Sequence, residues 1–363
     1  MKIIDITGNN FRNLKIDTKL DLNKKQILLI GSNGQGKTNL LEALYFICYG
    51  NSFRTSNIKE LLSYSSNSLS LNSTFIDDNN ENRKISIKIK NKKREIKIDN
   101  KLITDRKQLI YNIPCIVFSH DDIAFIKGSP ESKRKYFNQT MSMYDPIFFD
   151  DLRYYNKILK QRNSILKNKQ YDLLDVYDFN LAKYGYLIKN NRLKTVNEMN
   201  KLFPSLYSKV SDLQDVKIEY KSSWKDCNNE DEIIEKLKNN RERDIKYSVS
   251  NMGIHRDRFI INTNYGDLSA IGSTGQQRLA SLVLRATQCK YFKIKTNKDP
   301  IILVDDVLLE LDHQKRNKFL SLFNDYSQGF FTFLPEEKYF NKIDLKSSII
   351  YNVDKGAFYK NGW

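Results

Sequence analysis

The chain has 363 residues, which is enough for a large core and for two or three domains. It has no run of about 18 apolar residues, so a membrane-spanning helix is excluded, and its first ten residues, MKIIDITGNN, do not resemble a signal peptide. The formal net charge of +17 suggests an anionic partner such as nucleic acid, although the abundance of Lys, Asn and Ile also fits the compositional bias of an AT-rich genome.

Cysteine and histidine are sparse and scattered along the chain. No C-x-x-C pair is present, which argues against a zinc site and against a disulfide framework. The simplest expectation is a protein of the reducing cytosol with no His-based metal centre. The residues concerned are Cys48, Cys115, Cys227, Cys289, His120, His255 and His313.

The N-terminal segment predicts a sheet that leads into a phosphate-binding loop. Residues 3–7 and 14–20 alternate apolar and polar side chains, and an apolar strand follows at residues 27–30. The next eight residues, GSNGQGKT, fit G-x-x-x-x-G-K-[ST] and precede a helical pattern, which is the strand–loop–helix context of this motif. The predicted nucleotide-binding residues are Gly31, Ser32, Asn33, Gly34, Gln35, Gly36, Lys37 and Thr38.

The chemistry of this loop follows from its residue types. Backbone N–H groups of residues 33–38 would hold phosphate oxygens at the start of the helix. Lys37 would reach the β- and γ-phosphates, and the Thr38 hydroxyl would bind Mg²⁺. Asn297-Lys298-Asp299 does not complete the N-K-x-D pattern of guanine recognition, so we expect ATP.

A β-hairpin is predicted over residues 84–98. Ile85, Ile87 and Ile89 share one face of its first strand, with lysines on the other face, and Asn91-Lys92-Lys93 can form the turn. Two interpretations of the lysines remain open. Either they keep a solvent-exposed sheet edge from pairing with other strands, or they contact DNA.

From about residue 130 the apolar spacing becomes helical. One helix is predicted around residues 152–166 and a longer amphipathic stretch over 181–203, which Pro204 would end. A further helix is expected over 233–245. No heptad repeat is sustained, so this region predicts a helical lobe without a long coiled coil.

Strand patterns return at 258–263, 301–304, 329–333 and 348–353. The second of these runs, IILV, ends in Asp305 and Asp306, and a carboxylate at the end of a buried strand is costly unless it meets a cation. Asp305 is therefore the candidate Mg²⁺ ligand, and Asp306 the candidate that orients the attacking water. A Gly-flanked serine, Ser273, precedes another helical pattern and fits either an anion-binding helix start or an ordinary cap.

Taken together, GSNGQGKT, STGQQR and IILVDDVLLELD resemble the ABC-type ATPase heads of SMC and Rad50 proteins. The fuller set, in order, is similar to the RecF family: NFRNL (10–14), SFRTS (52–56), FSHDDIAFIKGSPESKRKYFN (118–138) and GIHRDRF (253–259). The resemblance covers nearly the whole chain. It implies an α/β fold, an ABC-type P-loop ATPase head with a mixed sheet and flanking helices, into which the helical lobe is inserted.

The resemblance also implies roles for single residues. Asp305 matches the magnesium-site acid and Asp306 the catalytic acid. Ser273, Gly275 and Gln276 match a motif that contacts ATP in trans, on a second copy, and Glu310-Leu311-Asp312 matches a loop that crosses the dimer interface. Where relatives carry a run of threonines after strand 329–333 this chain has Thr332 alone, which places the hydrolysis rate in question.

At the level of function, the resemblance implies an ATP-dependent homodimer that binds DNA and recruits the RecR and RecO mediators at gaps. Hydrolysis would be a weak, DNA-stimulated ATPase activity that acts as a switch. The expected domain ranges are 1–125 and 246–363 for the ATPase head and 126–245 for the helical lobe. An ABC-type ATPase subunit of a membrane transporter is the alternative, but transport subunits place the phosphate loop much closer to the acidic strand.

Overall fold

A computed structural model of the chain describes residues 1–64, 66–91, 93–307, 311, 313–322, 326–336 and 347–360. The strands, in chain order, are β1 (Lys2–Asn9), β2 (Ile16–Asp21), β3 (Gln26–Ile30), β4 (Ser68–Ile76), β5 (Asn82–Lys90), β6 (Lys93–Ile98), β7 (Lys101–Leu102), β8 (Cys115–Phe118), β9 (Lys217–Lys221), β10 (Arg258–Thr263), β11 (Gly266–Asp267), β12 (Ile301–Val304), β13 (Gln328–Phe333), β14 (Ser348–Asp354) and β15 (Ala357–Lys360).

The helices alternate with these strands in the first and last parts of the chain and dominate its middle. They are α1 (Lys37–Tyr49), α2 (Lys107–Asn112), α3 (Ala124–Lys127), α4 (Pro130–Ser142), α5 (Pro146–Lys167), α6 (Leu174–Met199), α7 (Phe203–Ser208), α8 (Glu230–Asn239), α9 (Arg241–Tyr247), α10 (Leu268–Ile271), α11 (Thr274–Thr296) and α12 (His313–Leu320). By compactness the chain divides into two units, Met1–His120 with Phe292–Trp363, and Asp121–Tyr291.

The first unit contains two sheets. Within the described residues one sheet has the order β2-β1-β4-β5-β6-β7 and is antiparallel, and the other has the order β15-β14-β3-β13-β12-β8. In the second sheet β14, β3, β13, β12 and β8 run parallel. Because parallel strands end at the same edge, β3 and β12 deliver the phosphate loop and the acidic pair to one side of the sheet.

One apolar core joins the two sheets and α1. Leu44 and Phe46 on α1 pack with Leu71 and Ile87 of the antiparallel sheet and with Leu29 of β3. Each of these side chains is fully buried, and burying a side chain of this size stabilises the fold by about 1.5–3 kcal/mol. The helix α1 is therefore held firmly behind the loop that precedes it.

The predicted hairpin is confirmed. Strands β5 and β6 pair antiparallel, from Ile85 opposite Ile98 to Lys90 opposite Lys93. Ile85, Ile87 and Ile89 are buried while Lys84, Lys88 and Lys90 are exposed. Lys92, in the predicted turn, lies outside the described residues.

The second unit is mainly helical, with a small sheet of order β11-β10-β9 among its described residues. The long helices α5 and α6 pack against each other and are joined by a short turn, so the expectation of a helical lobe without a long coiled coil is confirmed. The predicted role of Pro204 was wrong. Helix α6 already ends at Met199, and Pro204 stands in the first turn of α7, where a missing N–H costs nothing. The single helix expected over 233–245 is two helices, α8 and α9.

Residues 246–291, which carry STGQQR, fall in the second compact unit. The sequence-based ranges 1–125, 126–245 and 246–363 follow motifs rather than compactness, and they stay a prediction of domain organisation. Within the described residues, no helix is both long and apolar enough to cross a membrane.

Candidate nucleotide site

The phosphate loop connects β3 to α1, and its backbone conformation requires glycine at two positions. Gly36 caps the helix with φ +113°, a left-handed conformation that glycine adopts without strain. A Cβ on Gly31 would lie 2.4 Å from the Val353 carbonyl oxygen of β14, so only glycine fits that close approach. No side chain caps the first turn of α1, which leaves its N–H groups available for phosphate oxygens.

Lys37 lies inside the loop. Its side chain is only 4 % exposed, and its Nζ donates hydrogen bonds to the carbonyl oxygens of Gly31 (2.6 Å) and Ser32 (3.3 Å). The ammonium group is thereby held over the loop, where its charge can meet a phosphate. Ser32, Asn33 and Gly34 are exposed at the tip of the loop, open to a ligand.

The turn between β14 and β15 supports the loop from behind. The backbone N–H of Lys355 donates to Gln35 Oε1 (2.7 Å), and the N–H of Gly356 donates to the Gln35 carbonyl oxygen (2.8 Å). Both contacts join residues more than three hundred positions apart. The strand before this turn, residues 348–353, was predicted from the sequence, but the contact of the turn with the phosphate loop was not.

The two nucleotide motifs meet through one hydrogen bond. The Thr38 hydroxyl donates to Asp305 Oδ1 at 2.8 Å, across 267 residues of sequence. Burial raises the pKa of Asp305 to about 6, the hydrogen bond from Thr38 opposes the rise, and the negative charge of Asp306 adds to it. A bound cation would reverse this rise, because it favours the charged carboxylate.

The oxygens of Thr38 and Asp305 fit Mg²⁺. Neighbouring ligands of an octahedral Mg²⁺ ion lie about 3 Å apart, given metal–oxygen distances of 2.0–2.1 Å, and the two oxygens here are 2.8 Å apart. Among the described residues no group of three or more His, Cys, Asp or Glu side chains could hold a metal. Two protein ligands with the rest from phosphates and water is the usual arrangement for Mg²⁺.

The motifs NFRNL and SFRTS meet at a buried carboxylate on α1. Glu42 is fully buried and accepts hydrogen bonds from Arg12 (2.9 and 3.0 Å) and from Arg54 (3.3 Å). The Arg54 charge also lowers the pKa of Asp305. Sequence reasoning gave Glu42 no role. Its signal was a lone carboxylate in the apolar run LLEALYFI, which indicates a buried ion pair.

The S-x-G-Q segment lies in the second unit, at the start of α11. Ser273 N–H donates to Gln276 Oε1 (2.9 Å) and Gln276 N–H donates to Ser273 Oγ (3.3 Å), a reciprocal capping arrangement. Ser273 and Gly275 are exposed, and a Cβ on Gly275 would touch nothing within 4 Å. The motif therefore presents the open start of a helix that is 23 residues long. Glu310 and Asp312, expected at a dimer interface, lie outside the described residues.

Comparison with known proteins decides the family. The model of the RecF/RecN/SMC N terminal domain matches residues 2–355. The DNA replication and repair protein RecF of Treponema pallidum (strain Nichols) is 38% identical over 352 residues, covering 97% of this chain and 99% of the relative. The chain belongs to the RecF family. RecF of Clostridium botulinum (strain ATCC 19397 / Type A) is 35% identical over 353 residues and 96% of each chain.

Solved RecF structures share the whole fold. The recombination mediator protein RecF with ATP, from the RecFOR pathway, superposes with a TM-score of 0.89 at 30% identity, covering 99% of this chain and 98% of that one. The Smc head domain of Pyrococcus furiosus superposes with a TM-score of 0.57 at 15% identity and shares the fold alone. The predicted ABC-type head is confirmed, as is the assignment to recombinational repair, and the membrane-transporter alternative is not supported.

Proposed function

We propose that this chain is an ATP-switched DNA-binding protein of recombinational repair and replication restart, which dimerises on ATP and DNA and loads mediator proteins at gaps. The observation that carries the proposal is the Thr38–Asp305 hydrogen bond, because it assembles a phosphate loop and an acidic strand into one site. The RecF relatives, and a similar RecF protein whose structure was solved with ATP, support the same proposal.

Each residue of the site has a proposed task. Lys37 and the N–H groups of residues 33–38 hold the phosphates, and Thr38 and Asp305 hold Mg²⁺. The ion neutralises phosphate charge when bound. Asp306 orients the attacking water. Ser273, Gly275 and Gln276 serve a second copy of the chain, because the small exposed residues at the start of α11 leave room for the phosphates of a partner's nucleotide.

The DNA partner is supported by charge. The chain carries 60 Lys and Arg residues against 43 Asp and Glu residues, and such an excess favours a polyanion. RecR and RecO are proposed partners because the similar RecF protein of known structure is described as part of the RecFOR pathway. Hydrolysis is proposed as a slow, DNA-stimulated step that releases the dimer.

The test is sedimentation with and without ATP, Mg²⁺ and gapped DNA. We expect a larger species with all three present. The Lys37→Ala variant should lose it, because removing a charged hydrogen-bond donor weakens ATP binding by roughly 10- to 100-fold, about 1.5–3 kcal/mol. Lys217→Ala, which removes an exposed lysine of β9, is the matched control. Wild-type protein that neither sediments faster with ATP nor binds DNA would contradict the proposal.

A further inference from the structure

The backbone of Asp306 has an unusual conformation. Its φ is +51°, in the left-handed region that residues with a Cβ rarely adopt. Asp306 directly follows Asp305 at the end of β12, and successive side chains of an extended strand point to opposite faces. A left-handed residue at this place breaks that alternation. Aspartate enters this region more readily than most residues, and its hydrogen bonds fix it there.

Thr332 supplies two contacts to Asp306. This buried residue, 4 % exposed, lies near the end of β13, the strand beside β12. Its Oγ1 accepts a hydrogen bond from the Asp306 N–H at 2.8 Å and lies 2.8 Å from Asp306 Oδ1, to which it donates. One hydroxyl thus contacts both the backbone and the carboxylate of the same residue.

The Thr332 hydroxyl also lies near the other acidic residue, Asp305. Asp305 Oδ1 lies 3.3 Å from Thr332 Oγ1, and the Val304 carbonyl oxygen lies 3.5 Å away. Both are longer than the contact with Asp306, so the single hydroxyl proton goes to Asp306. Asp305 instead accepts from Thr38 at 2.8 Å. The carboxylates of Asp305 and Asp306 therefore lie on the same side of the chain. Each accepts a hydrogen bond from a different hydroxyl group, that of Thr38 or that of Thr332.

We propose that Thr332 is a positioning residue for ATP hydrolysis, which holds the Asp306 backbone and carboxylate in place beside Asp305. The inference rests on the proposed function, in which Asp306 orients the attacking water. Thr332 acts through Asp306 rather than on the reacting atoms. A hydroxyl is required, because a methyl group in its place removes the acceptor for the N–H and the donor to the carboxylate together.

The experiment compares Thr332→Val with Thr332→Ser in the full-length protein. We expect Thr332→Val to lower the DNA-stimulated kcat for ATP by roughly 10- to 100-fold, since a small misplacement of a catalytic group costs about that much. The Kd for ATP and the Tm should stay close to wild type, within about twofold for the Kd. Thr332→Ser keeps the hydroxyl and should restore most of the rate.

A double-mutant cycle separates positioning from general support of the fold. Adding Thr332→Val to Asp306→Asn should lower kcat no further, because without the Asp306 carboxylate there is no catalytic group left for Thr332 to position. If Thr332→Val does not fold, Thr332→Ala removes the same hydroxyl with less crowding and enters the same cycle.

Three results would overturn the inference, and they are distinguishable from one another. If Thr332→Val has the wild-type kcat while Asp306→Asn is inactive, Thr332 does not position Asp306, and the proposed function still stands. If the wild-type protein binds ATP but never hydrolyses it, the hydrolysis step of the proposed function is contradicted. The role of Thr332 in that step is then contradicted as well. Equal losses in Thr332→Val and Thr332→Ser would also count against a hydroxyl-based role.

Discussion

Gly356, in the turn after β14, lies in direct contact with the segment around Asn13. Its φ is +81°, and a Cβ placed on it would lie 1.8 Å from the Asn13 carbonyl oxygen. Its N–H donates to the Gln35 carbonyl oxygen of the phosphate loop, and its own carbonyl oxygen accepts from the N–H of Lys15. Position 356 therefore requires glycine for two reasons: the backbone has positive φ, and there is no room for a Cβ atom.

Replacing Gly356 with alanine should harm both folding and nucleotide binding. We expect the free energy of unfolding to fall by about 2 kcal/mol or more, from the left-handed backbone and the clash together, and the Kd for ATP to rise as Gln35 moves. Urea unfolding and equilibrium ATP binding are the measurements. Lys355→Gly is the matched control, because Lys355 also has positive φ (45°) and glycine should relieve it. A Gly356→Ala protein as stable as wild type would contradict the argument.

His255 is a partly buried imidazole in the second unit. Tyr155 Oη lies 2.9 Å from its Nδ1, and the Ser250 carbonyl oxygen lies 3.0 Å from its Nε2. Burial lowers the pKa of His255 to about 4. The hydrogen bond to Ser250 and the negative charge of Asp257 oppose this, and the positive charges of Arg256 and Arg134 add to it. The folded protein therefore disfavours the protonated ring.

A pH dependence of stability follows. Because the folded pKa of His255 lies below the unfolded value of about 6.5, the unfolded chain takes up the proton first, and stability falls as pH drops from about 6.5 towards 4. The loss is complete below about pH 4 and amounts to about 3 kcal/mol at most. Urea unfolding at pH 7.5 and pH 5 should show a larger loss for wild type than for His255→Gln. Equal losses would show that the ring does not carry this dependence.

Among the helices, an ion cluster ties α5 to α6 and α9. Arg162 on α5 is fully buried and contacts Asp178 and Asp244, both at 2.7 Å, and the hydroxyl of Ser250, also at 2.7 Å. Arg241 adds a second cation to Asp178 at 2.6 Å. Two buried carboxylates therefore depend on this one guanidinium for much of their charge compensation.

Removing Arg162 should destabilise the helical unit strongly. We expect Arg162→Ala to lower the free energy of unfolding by about 3–5 kcal/mol, because it leaves buried carboxylates without their partner. Urea denaturation provides the measurement. Lys157→Ala, an exposed position on the same helix, is the control and should change stability by less than about 0.5 kcal/mol. A loss below about 1 kcal/mol for Arg162→Ala would mean that the cluster adds little.

The sequence predicted elements where a local pattern decides the structure. Residues 258–263 and 301–304 form the predicted strands, because apolar alternation and apolar runs depend on neighbours a few residues away. Arg162 falls within the helix predicted around residues 152–166, but its burial was not predicted. Its partners Asp178 and Asp244 are distant in sequence, and no local pattern pairs them. The start of a new helix at Pro204 was missed for a similar reason, since proline suits both a helix end and a first turn.

In the candidate site, too, the residues of local motifs were predicted from the sequence and the contacts between distant segments were not. Lys37, Thr38 and Asp305 were predicted from motifs whose chemistry lies within a few residues. The support of Gln35 by the turn at Gly356, and the contact of Thr332 with Asp306, arise only when strands of one sheet lie side by side. Such contacts depend on strand order, which a single sequence does not reveal.

In the whole molecule, the S-x-G-Q motif is the part of the proposed mechanism that needs a second copy. We expect Ser273→Arg to leave ATP binding by the monomer within about twofold of wild type, while ATP-dependent dimerisation weakens by about tenfold or more because a bulky cation blocks the close approach. Equilibrium ATP binding and sedimentation measure the two effects. Asn168→Arg adds the same charge at an exposed turn and is the control. Equal loss of both activities would reduce Ser273 to a helix cap.

The central strand β3 has both of its sheet partners, β13 and β14, far downstream in the chain. Ser348 and Gln26, which begin paired strands, are 322 residues apart. At a synthesis rate of about 5–20 residues per second, β3 waits roughly 15–65 s on the ribosome before β14 emerges. During that interval its apolar side chains and strand edges lack their native cover, and such exposed segments are prone to aggregation. The hydrogen bonds from Lys355 and Gly356 to Gln35 form only after that turn has been synthesised, so the phosphate loop gains its full native support late in synthesis.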